Sequence, residues 1–195
     1  MTGVPAGAGR SVSRVRQRIA RAGAIILALA AFARPVSGAE EAFETLRLTR
    51  LGTGEPAAEF SVATPDGSIV GLSSLRGKVV LLNFWATWCE PCLEEMPAME
   101  RLARAYRDRG LAVLALSVDH EGASVVRPFL KRHGLTFLVG LDPQQTVARL
   151  YRVWALPSTF ILSRTGARLF QAQGARDWDA PVAHAFFDAV LPRGS

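Results

Sequence analysis

The chain has 195 residues, 49% of them apolar, and a formal charge of +6. That length supports one domain with a hydrophobic core of its own, so no disulfide framework is needed merely to fold it. The charge would suggest a nucleic-acid or membrane-surface binder, but Arg10, Arg14, Arg16, Arg18, Arg21 and Arg34 all fall within residues 1–39, which hold no acid, and beyond them basic and acidic residues are equal in number. The body is therefore neutral, and nothing in its charge calls for nucleic acid.

Residues 1–39 have the parts of a secretory signal: an Arg-rich start, an apolar run from Ala22 to Ala33, and a small-x-small site at Ser37-Gly38-Ala39. Cleavage after Ala39 is the first expectation. The alternative is an uncleaved N-terminal membrane anchor, although Arg21 and Arg34 bracket a run shorter than the roughly 18–20 apolar residues of a full span. No adjacent Arg pair supports a twin-arginine route. Either way the body is expected in the periplasm or on the outer side of the cytoplasmic membrane, where disulfides persist.

Residues 40–58 mix charge with Gly52, Gly54 and Pro56 and read as a tether. The domain is expected over 59–191. Around Pro65-Asp66-Gly67 two short β-prone runs predict a hairpin. From Lys78 to Ala86 an apolar run predicts a strand buried on both faces. Met96, Met99, Leu102, Ala103 and Tyr106 then form one stripe, predicting a helix from Pro91 to about Arg109 with Pro97 inside it. On its outer face Glu100 and Arg104 make an i,i+4 pair, read as a solvated contact.

Residues 111–119 predict another buried strand, Ser124 to His133 a short helix strained by Pro128, and Thr136 to Leu141 a strand. Gln144 to Tyr151 predicts a helix entered through Asp142-Pro143. Thr159 to Leu162 and Arg168 to Gln173 predict strands joined by a Thr165-Gly166 turn. A last helix is expected from near Asp177, with Trp178, Val182, Phe186 and Val190 at successive intervals of four. This order predicts an α/β fold, a mixed central sheet with helices on both faces.

The only two cysteines stand as Cys89-Glu90-Pro91-Cys92, where the long buried strand hands over to a helix. At that junction unpaired N–H groups and the positive end of the helix dipole favour a thiolate on Cys89, and Pro91 suits the first turn. Cys92, one turn inside, is the thiol placed to resolve a mixed disulfide. Three other readings compete. A structural disulfide over so short a loop constrains the unfolded chain little. A zinc site wants more ligands than this, and His120, His133 and His184 are scattered. The peroxidatic pattern Pro-x-x-x-Thr-x-x-Cys fails, because Ala86 and Leu82 occupy its Thr and Pro positions. No metal or other cofactor is expected beyond the thiol pair itself.

GKVVLLNFWATWCEPCLEEMP followed much later by LPSTFIL resembles the TlpA/ResA-like branch of the thioredoxin superfamily, exported thiol-disulfide oxidoreductases that include the cytochrome c maturation reductases. The resemblance runs from about residue 56 to 191. It implies a thioredoxin-like fold with an N-terminal β-hairpin and one inserted strand-helix element, within residues 112–141. It also implies that Pro157 is a cis-proline facing the cysteines, that the Leu156 backbone pairs with an extended substrate segment, and that Trp88 belongs to the docking surface. The implied partners are protein substrates with C-x-x-C disulfides, apocytochrome c among them, and a membrane thiol carrier as electron donor. Membrane contact is expected only through an uncleaved N-terminus. A general disulfide reductase and a Cu(I)-handling or oxidase-assembly module are the alternatives.

Ordinary thioredoxins carry a buried Asp six residues before the first cysteine; here that position is Asn83, which does not titrate. Glu95, three residues after Cys92 and one turn along the same helix face, is the candidate base for the Cys92 thiol, and the resemblance places a Glu of the active site there. Glu94 reads as a surface acid. Glu90 and Pro91 between the thiols are the redox-tuning positions, Glu90 opposing the Cys89 thiolate and so favouring a reductant.

Overall fold

The computed structural model describes residue 3 and residues 38–52 and 54–191. The signal or anchor segment expected over 1–39, apart from residues 3, 38 and 39, lies outside the described residues.

In chain order the elements are α1 (Gly38–Thr45), β1 (Thr49–Arg50), β2 (Ser61–Ala63), β3 (Ile69–Gly71), a 3₁₀ turn (Leu72–Leu75), β4 (Val79–Trp85), α2 (Glu90–Tyr106), a 3₁₀ turn (Arg107–Arg109), β5 (Leu111–Ser117), α3 (Ala123–His133), β6 (Leu138–Leu141), α4 (Thr146–Leu150), β7 (Ser158–Leu162), β8 (Arg168–Gln173) and α5 (Pro181–Val190). Six strands form one mixed sheet in the order β1-β8-β7-β4-β5-β6, while β2 and β3 make the separate hairpin. Strand β4 lies parallel to β5 and antiparallel to β7.

All seven residues of β4 are buried, as its uninterrupted apolar run requires of a strand covered on both faces. Successive side chains of a strand point to opposite faces, and β4 uses the two faces differently. Phe84 turns toward the α4 side, where its ring lies 5.6 Å from Tyr151 and 6.1 Å from Phe160. Asn83 turns the other way and meets α2 through Glu95. Helices thus cover both faces, and a fully buried Phe84 at the sheet centre is the kind of residue whose truncation to Ala costs about 3–5 kcal/mol.

Helix α2 begins at Cys89, its N-cap, with a proline in the first turn, and continues through Pro97 to Tyr106. Its apolar stripe is buried as the spacing predicts, from Met96 to Tyr106.

The structure departs from expectation in several places. Over residues 40–58, read as a tether, it has α1, β1 and a bridge from Pro56 to Ala167. Ala42, Leu46 and Leu48 are buried there, and α1 packs on α5. Glu100 is not the solvated half of a surface pair. It is 7% exposed and also accepts the Thr136 N–H at 2.6 Å and the Phe137 N–H at 3.2 Å. Burial raises its proton affinity, but these hydrogen bonds and that from Arg104 outweigh it and hold the carboxyl below its ordinary range. Thr136 and Phe137 are therefore tied to α2 and precede β6. Finally, α5 starts at Pro181, so Trp178 stands in the loop before the helix rather than on its stripe.

Candidate active site

The site grows from the end of β4. Four residues, Ala86–Cys89, carry the chain from the strand to α2. The Cys89 N–H donates to the Ala86 carbonyl at 3.2 Å, and the Cys89 carbonyl accepts the N–H groups of Cys92 and Leu93 at 2.9 and 3.1 Å. Cys89 and Cys92 are joined as a disulfide, with their Cα atoms 5.3 Å apart. Cys89 is 6% exposed and Cys92 0%, so an approaching sulfur meets Cys89 first. Glu90 and Pro91 are exposed between them.

This turn is clamped by a residue that sequence reasoning missed. Asp119, just beyond β5 and 1% exposed, accepts the Thr87 N–H on both carboxylate oxygens at 3.0 and 3.2 Å. The Thr87 hydroxyl adds a bond of 2.6 Å and the Ser117 hydroxyl one of 2.7 Å. A buried carboxylate saturated by donors in this way holds the backbone two residues before the first thiol. The only sequence signal for it is an acid directly after an apolar strand.

On the outer side Cys89 lines a groove of about 480 Å³ together with Trp88, Val118, Val153, Trp154 and Leu156. The Leu156–Pro157 peptide bond is cis, Leu156 is half-buried and Pro157 buried. The Pro157 carbonyl is taken by the Gly174 N–H at 2.9 Å. Trp88 is 69% exposed.

Glu95 lies on the buried face of α2, one turn beyond Cys92, and is 1% exposed. Asn83 donates to its Oε1 at 2.8 Å, while the Trp178 indole and the Arg176 N–H donate to its Oε2 at 3.0 and 3.1 Å. Asn83 is placed by the sheet: it is the register partner of Thr159 on β7, whose hydroxyl accepts its other amide proton at 3.0 Å. Burial pushes the Glu95 carboxyl up from 4.5 to about 7, although the three hydrogen bonds and the Arg176 charge act in the opposite direction. A carboxyl poised there exchanges a proton near neutral pH.

One atom of this cradle is unused, for the buried Asn83 Oδ1 has no hydrogen-bond partner. Rotation of the amide would offer that oxygen to a protonated Glu95, so the cradle accommodates both charge states. Glu95 also lines a crevice of about 360 Å³ with Glu94, Pro97, Ala98, Arg101 and Arg176. That crevice shares no lining residue with the thiol groove. Trp178 and Arg176 were not legible as site residues; Pro181, a first-turn proline, is the signal that could have moved Trp178 out of the helix.

Two of the three histidines serve packing. His133 stacks on Phe129 with centroids 4.3 Å apart, and His184 bonds Tyr106 and Asp179 at 3.0 and 2.9 Å.

A Cys-x-x-C disulfide capping the helix that follows the central strand of a mixed sheet, beside a cis-proline loop, defines a thiol-disulfide oxidoreductase of thioredoxin-like fold. Residues 53–167 match the model of the AhpC/TSA family, and the chain belongs to that family. It is similar to thiol-disulfide oxidoreductase ResA of Bacillus anthracis, 37% identical over 125 residues that cover 64% of this chain and 72% of the relative. With ResA of Geobacillus kaustophilus (strain HTA426) it shares 41% identity over 118 residues, 60% of this chain and 67% of the relative. Among solved structures, a candidate thiol:disulfide interchange protein DsbE from Chlorobium tepidum superposes with a TM-score of 0.66 and 33% identity, over 72% of this chain and 98% of that one. The protein is a thiol-disulfide oxidoreductase of this ResA/DsbE type, and Cys89–Cys92 is its Cys-x-x-C pair.

Proposed function

We propose that the protein works outside the cytoplasm as a reductant of disulfides in proteins bearing a C-x-x-C pair, apocytochrome c being the substrate class implied by the resemblance of its motifs to the TlpA/ResA-like branch. The observation that carries this reading is the buried Glu95 in its three-donor cradle, one helical turn from Cys92. The Arg-rich start and apolar run before residue 40 support export.

In the dithiol form Cys89 attacks as the thiolate. Its sulfur bonds to one substrate sulfur while the substrate S–S bond breaks, and the departing sulfur takes up a proton. Glu95 accepts the Cys92 thiol proton. The Cys92 sulfur then attacks the Cys89 sulfur, which closes the Cys89–Cys92 disulfide and releases the reduced substrate. A dithiol donor, expected to be a membrane thiol carrier, returns two electrons and the cycle restarts. Trp88, Leu156 and Pro157 hold the substrate segment during the exchange, with Leu156 offering backbone hydrogen bonds.

The test is trapping in the native cell. Cys92→Ser should accumulate mixed disulfides with exported C-x-x-C proteins, whereas Cys89→Ser should accumulate none. No trapped partner with Cys92→Ser would overturn the substrate class. A potential for the pair near that of the strong oxidant DsbA, about −120 mV, would overturn the direction of electron flow.

A further inference from the structure

Five large apolar side chains are exposed among the described residues: Ile69, Trp88, Leu138, Leu150 and Trp154. Both tryptophans of this set line the groove that contains Cys89, and Trp154, at 86%, is the most exposed of the five. Trp154 has no role in the core and none in the Glu95 cradle.

The loop that presents it is pinned. Gln145 and Arg152, on either side of α4, both have φ of 56°, in the left-handed region that non-glycine residues rarely adopt. Such conformations persist where the surroundings enforce them, and they gather at ligand clamps. Gln145 itself lines the groove. After Arg152 the Val153 N–H is held by the Ala148 carbonyl at 2.9 Å, and the Ala155 carbonyl is held by the Ser158 hydroxyl at 2.7 Å. Trp154 sits between these two ties, so the backbone that presents its indole beside the groove is held in place.

What enters the groove follows from the chemistry. Cys89 lines this groove, so a disulfide that enters it meets these walls, and a permanently bound second copy would cover the thiol. The occupant is therefore transient, an extended segment of the substrate protein. The side walls offer it indole faces and the aliphatic groups of Val118, Ala148 and Val153, with Glu90 as the only charged group among the described residues that line it.

We propose that Trp154, which lines the groove together with Trp88, selects disulfides that have a large apolar side chain within two residues of the attacked cysteine. This rests on the reading that protein disulfides are attacked by Cys89. An indole that is already exposed on a held backbone, with only two side-chain torsions to fix, gains contact area on binding with little ordering cost. A serine at the same substrate position leaves that wall uncovered.

The experiment uses the full chain, reduced beforehand, and two disulfide-closed C-x-x-C peptides of equal length and charge, one with leucine and one with serine beside the first cysteine. Second-order rate constants for each peptide are compared. The wild type is expected to favour the leucine peptide about tenfold. Trp154→Ala should bring the ratio close to one, Trp154→Phe should restore most of it, and the equilibrium constant of the Cys89–Cys92 pair with glutathione should stay within about twofold. A wild-type ratio near one, or a ratio unchanged in Trp154→Ala, would overturn the selection while leaving protein disulfide reduction intact. Equal slowing of both peptides, or a change of oligomeric state in Trp154→Ala, would also overturn it. If the wild type reduced neither peptide, the reading of the substrate class would fail first.

Discussion

The groove around Cys89 and the cradle around Glu95 both stand at the start of α2, and they are built from opposite materials. The groove is open and apolar, walled by Trp88 and Trp154. The cradle is closed and polar, with Asn83, Arg176 and Trp178 converging on a carboxylate that is 1% exposed. Sulfur exchange needs a wall that a protein substrate can press against. Proton exchange at Cys92 needs a group whose affinity is raised by loss of water. The crevice beside Glu95 shares no lining residue with the groove, so the two proposed roles fall at separate openings.

Glu95→Gln breaks this division most directly. Loss of the acceptor for the Cys92 proton should slow release of the mixed disulfide by about 10²-fold. Release by the wild type should accelerate as pH rises through about 7, because the base must be unprotonated, and the variant should lack that inflection. Single-turnover release of a disulfide peptide measured across pH checks both.

The same substitution has the opposite effect on stability. Glu95 binds its proton more tightly folded, at about 7, than at its ordinary 4.5. Its contribution is thus complete below about 4.5 and is lost as pH rises through about 7. Glu95→Gln should therefore be more stable than the wild type at pH 8, by up to about 3 kcal/mol, and equal to it near pH 4.5. The variant fits because a rotated Asn83 turns its unused Oδ1 to the new amide, whose own oxygen still accepts from Trp178 and Arg176. Urea unfolding of the oxidised protein at the two pH values decides it.

Trp178→Phe sharpens the comparison less severely. It removes one hydrogen bond to the ionised carboxylate, so the inflection of mixed-disulfide release should move up by about one pH unit. An unshifted inflection would show that the indole only fills space.

The smallest effect belongs to the groove side. Glu90 is exposed, so its charge acts on Cys89 through water. Glu90→Gln should raise the potential of the pair by only about 10 mV, read by equilibration with glutathione.

Much of the frame was legible along the chain. The apolar run of β4, the stripe of α2, the hairpin around Asp66 and the Cys89–Cys92 junction depend on local periodicity and spacing, and the structure has each of them. Residues 40–58 misled because Gly52, Gly54 and Pro56 mask a helix whose burial depends on α5, far away in sequence. Trp178 misled for a different reason. Its spacing to Val182 and Phe186 is helical, but Pro181 opens the helix and leaves the indole free to reach Glu95. Asp119 and Glu100 carried no periodic signal, since each acts by accepting N–H groups from distant loops.

By itself the sequence determined where the two thiols lie, that a helix begins between them, and that Glu95 follows one turn later, because strand burial, helix phase and residue spacing are short-range properties. Only the tertiary structure decided the proton affinity of Glu95. Its donors come from 12, 81 and 83 residues away, and its raised proton affinity comes from the water those elements exclude. The same holds for Trp154, whose exposure beside Cys89 depends on how the α4 loop is held against the end of the sheet.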